Sequence, residues 1–292
     1  MMTMERERFS GCILGGYLGD VIGAPVESES AAYIGKTYRD LDHILERPWV
    51  EEILGQRWLV GRYTDDTTMT LSVLEWLLHD SPEDGKSLLA RFAESYRPGR
   101  RYGGSAARLL EAYPENHENW RSLATLSFPQ GSYGNGSAMR VAPVGLAFAN
   151  DPGRLLSSAI LSSLTTHAHP NAQVGAALQA SAVALALKQT APGDFLQHLR
   201  STLEQLERLG LNVSPYRERL DWMAQGLRNQ TSPKDISLQL GTGLEALESV
   251  PMAIYCFLSH SQDFEACLES AVFLGGDVDT LAAMAGNLCG AY

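Results

Sequence analysis

Apolar residues recur along most of the chain at the spacing of a helix. Leu71, Leu74 and Leu78 fall on one helical face after a threonine-rich start, and Leu156, Ile160 and Leu164 form a second stripe. Phe264, Cys267, Leu268, Ala271 and Val272 follow the i, i+3, i+4, i+7, i+8 order. The runs Ala172 to Lys188 and Leu281 to Ala291 are rich in Ala and Leu with small residues on every side, which predicts helices packed all round in a bundle interior. Alternating strand patterns bounded by hairpin dipeptides are absent, and no repeat of strand then helix would build a parallel sheet. The pattern therefore predicts an all-α fold. Helix breaks are read at Ser81-Pro82, Arg97-Pro98-Gly99, Asp151-Pro152-Gly153, Ala191-Pro192-Gly193, Ser232-Pro233 and Val250-Pro251. None is long enough for a linker, so residues 1–292 are expected to form one domain. Three stretches resist a helical reading: Pro25 to Asp66, Tyr113 to Gly136, and Gly275-Gly276-Asp277. Irregular connections inside a compact domain tend to carry function, so a site is sought there.

Composition narrows the field. The 292 residues are 45% hydrophobic and 20% charged, which is globular and excludes wholesale disorder. With 23 Lys and Arg against 34 Asp and Glu, the net charge of −11 argues against a nucleic-acid footprint or an anionic membrane surface. The longest purely apolar runs, Ala182 to Leu187 and Met252 to Leu258, fall far below the ~18 residues of a membrane span, so no membrane helix is expected. The opening MMTMERERFSGC lacks the order of a secretion signal, and a cytoplasmic location is expected. Cys12, Cys256, Cys267 and Cys289 show no Cys-x-x-Cys spacing and lie in apolar segments, which predicts buried free thiols.

Five polar constellations interrupt the helical pattern. Tyr63-Thr64-Asp65-Asp66-Thr67-Thr68 precedes the Leu71 helix; one Asp would cap it, and two adjacent carboxylates exceed that need unless a cation or proton neutralises them. Gly275-Gly276-Asp277-Val278-Asp279-Thr280 opens the last helix with hard oxygen donors on a closely approachable backbone, and it is not an EF-hand. Two such oxygen-rich helix starts point to one shared site for magnesium or manganese, with zinc disfavoured. Gly131 to Arg140 is glycine-rich before an apolar stretch, either a plain interhelical loop or an anion cradle at a helix N-terminus. Thr165-Thr166-His167-Ala168-His169-Pro170 ends a helix, where His169 fits a surface position near the C-terminal dipole and His167 is less readily explained. Gly19 to Glu27 puts a carboxylate at the mouth of the first long irregular stretch.

In this order the five segments resemble the ADP-ribosylglycohydrolase family, and the resemblance spans most of the chain. The Gly-Ser-Tyr-Gly-Asn-Gly form of the third motif looks like the branch that hydrolyses O-linked ADP-ribose. The resemblance implies a single orthogonal multi-helix bundle with a binuclear magnesium site at one end. Thr64, Asp65, Asp66, Asp277, Asp279 and Thr280 match the family's metal ligands, with two Mg2+ ions expected and Mn2+ an alternative. Glu27 and Asp277 are the implied proton-transfer groups. Phe128, Gly131, Ser132, Tyr133, Gly134, Asn135 and His167 match positions that hold the diphosphate, ribose and adenine. Family members usually continue past the last helix, whereas this sequence stops at Tyr292. The implied reaction is hydrolysis of the C1″ glycosidic bond of ADP-ribosylserine, poly(ADP-ribose) or O-acetyl-ADP-ribose. Its transition state carries oxocarbenium-like charge and its leaving oxygen needs a proton, while cations about 3.5–4 Å apart can orient ribose hydroxyls and acidify water. The expected partners are ADP-ribose and ADP-ribosylated proteins, with a monomeric chain. Hydrolysis of ADP-ribosylarginine and a non-enzymatic ADP-ribose-binding or structural protein are the alternatives. A haloacid-dehalogenase phosphatase, suggested by Asp277-Val278-Asp279-Thr280, would need that motif after a buried strand.

Overall fold

The computed structural model describes residues 2–46, 50–53, 56–59, 61–81 and 83–292. Helices form wherever the 3.6-residue period runs uninterrupted, and sixteen α-helices occur among the described residues. The first half contains α1 (Met2–Gly23), α2 (Ala31–Thr37), α3 (Leu41–Glu46), α4 (Asp65–His79), α5 (Gly85–Ser95), α6 (Gly104–Asn116), α7 (Trp120–Leu123) and α8 (Ala142–Ala147). The second half contains α9 (Pro152–Leu164), α10 (Pro170–Leu187), α11 (Pro192–Arg208), α12 (Ser214–Arg228), α13 (Pro233–Leu240), α14 (Ala246–Ser259), α15 (Phe264–Val272) and α16 (Val278–Ala291). The architecture is all-α, with one antiparallel hairpin, β1 (Val50–Ile53) and β2 (Gln56–Leu59), paired Val50 to Leu59 and Ile53 to Gln56.

At the centre lie α10 and α16, both apolar around nearly their whole circumference, as their Ala-rich sequences predict. The α1 helix runs along α16. A stripe of glycines four residues apart makes this possible: a Cβ on Gly11, Gly15 or Gly19 would collide with the backbone of Gly290, Gly286 or Ala282. The segment Glu5–Val26 is long and apolar enough by length and composition to cross a membrane, contrary to the run-length reading, and more than half of it is buried in the bundle. Segments from Cys12 to Ala291 contribute to one contiguous apolar core, which includes Cys12, Cys256 and Cys267 as free thiols.

Several local expectations change. The α4 stripe is inverted: Leu71 and Leu78 are exposed, and Met69, Val73 and Trp76 face the core. The inward side of α4 must also carry Asp66 and Thr70, so polar residues interrupt the buried face and the leucines make a cleaner but outward stripe. Pro152, Pro192 and Pro233 stand at the first position of the following helices, where the missing N–H has no partner to lose. Pro251 lies inside α14 and breaks nothing; Pro82 lies outside the described residues. The two long irregular stretches hold α2, α3, the hairpin and α7, elements of four to seven residues that are too short for a helical period to register.

Candidate active site

The site is built where α1, α4 and α16 meet. Asp20, on α1 and fully buried, accepts from Thr64 N (3.0 Å), Thr67 N (3.0 Å) and Thr67 Oγ1 (2.5 Å). Thr64 is the N-cap of α4, its hydroxyl accepting from Asp66 N at 3.2 Å. The amides of Thr64, Asp66 and Thr67 are thus satisfied by Asp20 and Thr64, which frees the Asp65 and Asp66 carboxylates of those bonds. Both line a cavity of about 760 Å³. Asp20 stands inside the Gly19–Glu27 motif, but its role was not legible there because its partners lie more than forty residues downstream.

The second acidic group enters the cavity from the N-terminus of α16. Asp277 is the N-cap residue but makes no side-chain cap bond; Asn135 Nδ2 donates to its Oδ2 at 2.5 Å. Asp279 Oδ1 accepts from Thr280 N at 2.9 Å, and the Thr280 hydroxyl reaches Asp66 Oδ2 at 3.4 Å, joining the two motifs across 214 residues of sequence. Glu27 supplies the third approach. Its carboxylate and those of Asp277 and Asp279 offer oxygens all within 4.8 Å of one another. Arg101 Nη1 donates to Glu27 Oε2 (2.8 Å) and to Ala24 O (2.7 Å), holding the Glu27 turn. Ser28 N donates to Gly276 O at 2.7 Å and Gly276 N to Glu29 O at 3.0 Å, so the Glu27 turn is stitched to the glycines before Asp277.

Crowding these carboxylates makes their ionisation unfavourable. Burial, then the charge of Asp20, pushes Asp65 and Asp66 well above the usual carboxylate range, and burial, then Glu27, does the same to Asp279. Burial raises Asp277 against the Asn135 hydrogen bond, and raises Glu27 against the Arg101 charge. Asp66 Oδ1 is buried and has no hydrogen-bond partner. An all-oxygen donor set, excess negative charge and an orphaned buried oxygen fit a hard divalent cation, which Thr64, Asp65, Asp66, Asp277, Asp279 and Thr280 would hold, with Glu27 within ligand reach of Asp277 and Asp279.

The opposite wall is the glycine-rich segment. Its amides are partly used internally: Gly134 N donates to Ser132 Oγ (3.3 Å) and Asn135 N to Leu244 O (2.9 Å). Asn135–Ser137 is a single 3-10 turn, so the expected helix N-terminus is absent at this point. Tyr133 O accepts from Ala246 N (3.1 Å), pinning the segment to the start of α14. His167 is buried beneath it, and a Cβ on Gly136 would stand 2.6 Å from the His167 ring, so only glycine fits. Burial, then Arg140, pushes the His167 imidazole down to about 3, leaving it neutral, and Thr166 Oγ1 lies 2.7 Å from its Nδ1. Phe128 and Tyr133, 41% and 45% exposed with ring centroids 6.3 Å apart, stand at the mouth. Ser132, Gly134, Asn135 and His167 line the cavity; Gly131 does not. With φ +82° it makes a tight turn against Ala168 and His169, where a side chain would collide. His169 caps the N-terminus of α10, its Nδ1 accepting from Asn171 N at 3.1 Å, so it sits at the opposite helix end from the one expected.

Arg140, in the same motif, is fully buried. Its guanidinium donates to Ser162 O (2.6 Å) and Thr165 Oγ1 (3.2 Å) and lies 4.3 Å over the Phe92 ring, so the carbonyl end of α9 and an aromatic face hold its charge.

The chain matches the ADP-ribosylglycohydrolase family across residues 1–292. Human ADP-ribosylhydrolase ARH3 is 33% identical over 311 residues, covering 98% of this chain and 85% of its own length. The chicken (Gallus gallus) ADP-ribosylhydrolase ARH3 is 35% identical over 313 residues, with coverages of 98% and 85%. Among solved structures, a chain of an ADP-ribosylglycohydrolase-related protein complex superposes with a TM-score of 0.67 at 26% identity, covering 99% of this chain and 88% of that one. Carboxylates brought from three distant segments onto one cavity wall, together with full-length matches of sequence and structure, place this chain in the ADP-ribosylglycohydrolase family.

Proposed function

We propose that the chain is a magnesium-dependent hydrolase that cleaves the C1″ glycosidic bond of O-linked ADP-ribose, as in ADP-ribosylserine, poly(ADP-ribose) and O-acetyl-ADP-ribose. The observation that carries this reading is the arrangement of one cavity. Glu27, Asp65, Asp66, Asp277 and Asp279 line one side, and Phe128, Tyr133 and the Ser132–Asn135 segment line the other. A ligand with an aromatic base at one end and an acetal carbon at the other suits such a space. The Gly-Ser-Tyr-Gly-Asn-Gly form of residues 131–136, which resembles the O-linked branch, supports an O-linked acceptor over arginine.

A bound divalent cation supplies Lewis acidity and orders oxygen ligands. The remaining work belongs to the chain. Phe128 and Tyr133 offer faces for the adenine, while Ser132 and Gly134 border the diphosphate. The neutral His167 supports the glycine turn from below. Hydrolysis at C1″ needs a proton for the leaving oxygen and removal of one from the attacking water. Glu27 and Asp277 stand at the edge of the acidic cluster as the two proton-transfer groups. Burial, and then the nearby Asp277 carboxylate, hold the Glu27 carboxyl above its ordinary value against the opposing charge of Arg101, the direction a proton donor requires. Arg101 fixes its direction.

The deciding experiment compares turnover of ADP-ribosylserine and ADP-ribosylarginine peptides with magnesium, with manganese and after chelation. The serine-linked peptide should turn over only with metal. Full activity in chelator would remove the metal dependence, and exclusive turnover of the arginine-linked peptide would move the chain to the other branch.

A further inference from the structure

A second groove, of about 720 Å³, is lined by residues none of which line the acidic cavity. Its walls are the C-terminal end of α2, the start of α13, and the face of α15 that leads into Leu274. Lys36, Arg39 and Lys234, all exposed, line it against one carboxylate, Glu269. None of the three has a carboxylate within ion-pair distance among the described residues. In a chain of net charge −11, three unpaired cations on one groove form a local reversal of sign that the fold itself does not use.

The groove is joined to the acidic site. Ser30, the N-cap of α2, bridges to Gly275, and Leu274 lines the groove three residues before Asp277 lines the catalytic cavity. The seven residues of α2 span roughly 10 Å from the Glu27 turn to the far end of the groove, the reach of about three extended residues. The surface between them, Ser28 to Tyr33, is largely exposed, carries Glu29, and presents Tyr33 at 47% exposure.

We propose that this groove docks an acidic segment of the ADP-ribosylated acceptor polypeptide, a few residues away from the modified side chain. The inference rests on the hydrolase reading above, in which Glu27 is a proton-transfer group at the scissile bond. A mixed wall suits a peptide: Leu274 is buried, Phe273 is half-buried, and the cations stand around them. A nucleic-acid-like polymer is held on exposed aromatic faces, whereas Tyr38 here is buried.

The test pairs the triple variant Lys36→Glu, Arg39→Glu, Lys234→Glu with the parent. Substrates are ADP-ribosylserine peptides with acidic or basic flanks, O-acetyl-ADP-ribose, and poly(ADP-ribose). For the acidic-flank peptide, KM should rise about tenfold in the variant and the parent's preference should weaken with salt. Turnover of O-acetyl-ADP-ribose should stay unchanged, and the basic-flank peptide should become the better substrate of the variant. An unchanged KM for the acidic-flank peptide overturns the proposal, as does an equal loss on O-acetyl-ADP-ribose. A loss confined to poly(ADP-ribose) overturns it in favour of the polymer. Anisotropy of a fluorescein-labelled, unmodified acidic peptide reads the groove independently of chemistry. If no ADP-ribosylated substrate turns over while that peptide binds the parent and not the variant, the groove's recognition of acidic peptide stands and the hydrolase reading falls.

Discussion

At the scale of single residues, the acidic side chains divide into those that build the site and those that face the ligand. Asp20 belongs to the first group, since three donors from the start of α4 converge on it. Asp20→Ala should lower stability by ~2–4 kcal/mol in urea unfolding, because buried amides and a hydroxyl lose their acceptor. Asp20→Asn, which keeps one oxygen, should recover part of that. Asp279 and Glu27 belong to the second group. Asp279→Ala should abolish both calorimetric magnesium binding and turnover while ADP-ribose still binds through the wall formed by Phe128, Tyr133 and Ser132. Glu27→Gln should slow turnover ~10²–10⁴-fold, the usual contribution of a proton-transfer group. Parent-rate hydrolysis by Glu27→Gln would strip that residue of its role. The division was only half legible in the sequence: paired acids stand out in a string of letters, whereas a lone Asp20 acquires meaning from amides that lie far along the chain.

At the scale of elements, the contact between α1 and α16 decides whether the site exists. Gly19 lets the backbone of α1 touch that of Ala282, and Gly23 does the same beside Asp279, so Asp20 and Glu27 arrive next to the acidic start of α16. Gly19→Ala should destabilise by ~2–3 kcal/mol and depress magnesium affinity together, because the inserted methyl meets backbone atoms that cannot rotate away. Gly35→Ala is the control: nothing lies within 4 Å of its added Cβ in α2, and stability should rise by ~0.5–1 kcal/mol. Equal thermal shifts in the two variants would refute a close-approach role for the stripe. The four-residue repeat Gly11, Gly15, Gly19, Gly23 is present in the sequence and signals close helix contact, but it does not say which helix is contacted.

At the scale of the whole molecule, the acidic cluster couples stability to pH and to cations. Asp65, Asp66 and Asp279 have folded values raised above their unfolded ones, so the folded state binds more protons and their stabilising contribution is lost as pH rises through the folded values. His167 acts in the opposite sense: lowered to about 3, it takes stability away as pH falls from its unfolded value near 6.5. Six raised carboxyls outweigh one imidazole. In chelator, the melting temperature should therefore fall over the interval in which pH rises above the ordinary carboxylate value near 4 toward the raised folded values, and magnesium should reverse the trend by binding the ionised form. A melting temperature that rises over that interval in chelator would contradict the electrostatic account.

Fold class and the residue types gathered at the site are legible in local sequence. Helical period and Ala-rich runs are local properties, and Thr64-Asp65-Asp66 and Asp277-Val278-Asp279-Thr280 carry their oxygen donors in adjacent positions. Which carboxylates come together depends on contacts between remote segments, as where Thr280 meets Asp66 across 214 residues. The same holds for Asn135 holding Asp277, for Gly131 as a turn outside the cavity, and for Leu71 and Leu78 of α4 facing outward. The physical reason is common to all of these. A side chain's residue type sets what it can do, while its burial and its partners are set by segments remote in sequence, and those alone determine whether a carboxylate caps a helix, positions a loop or faces a ligand.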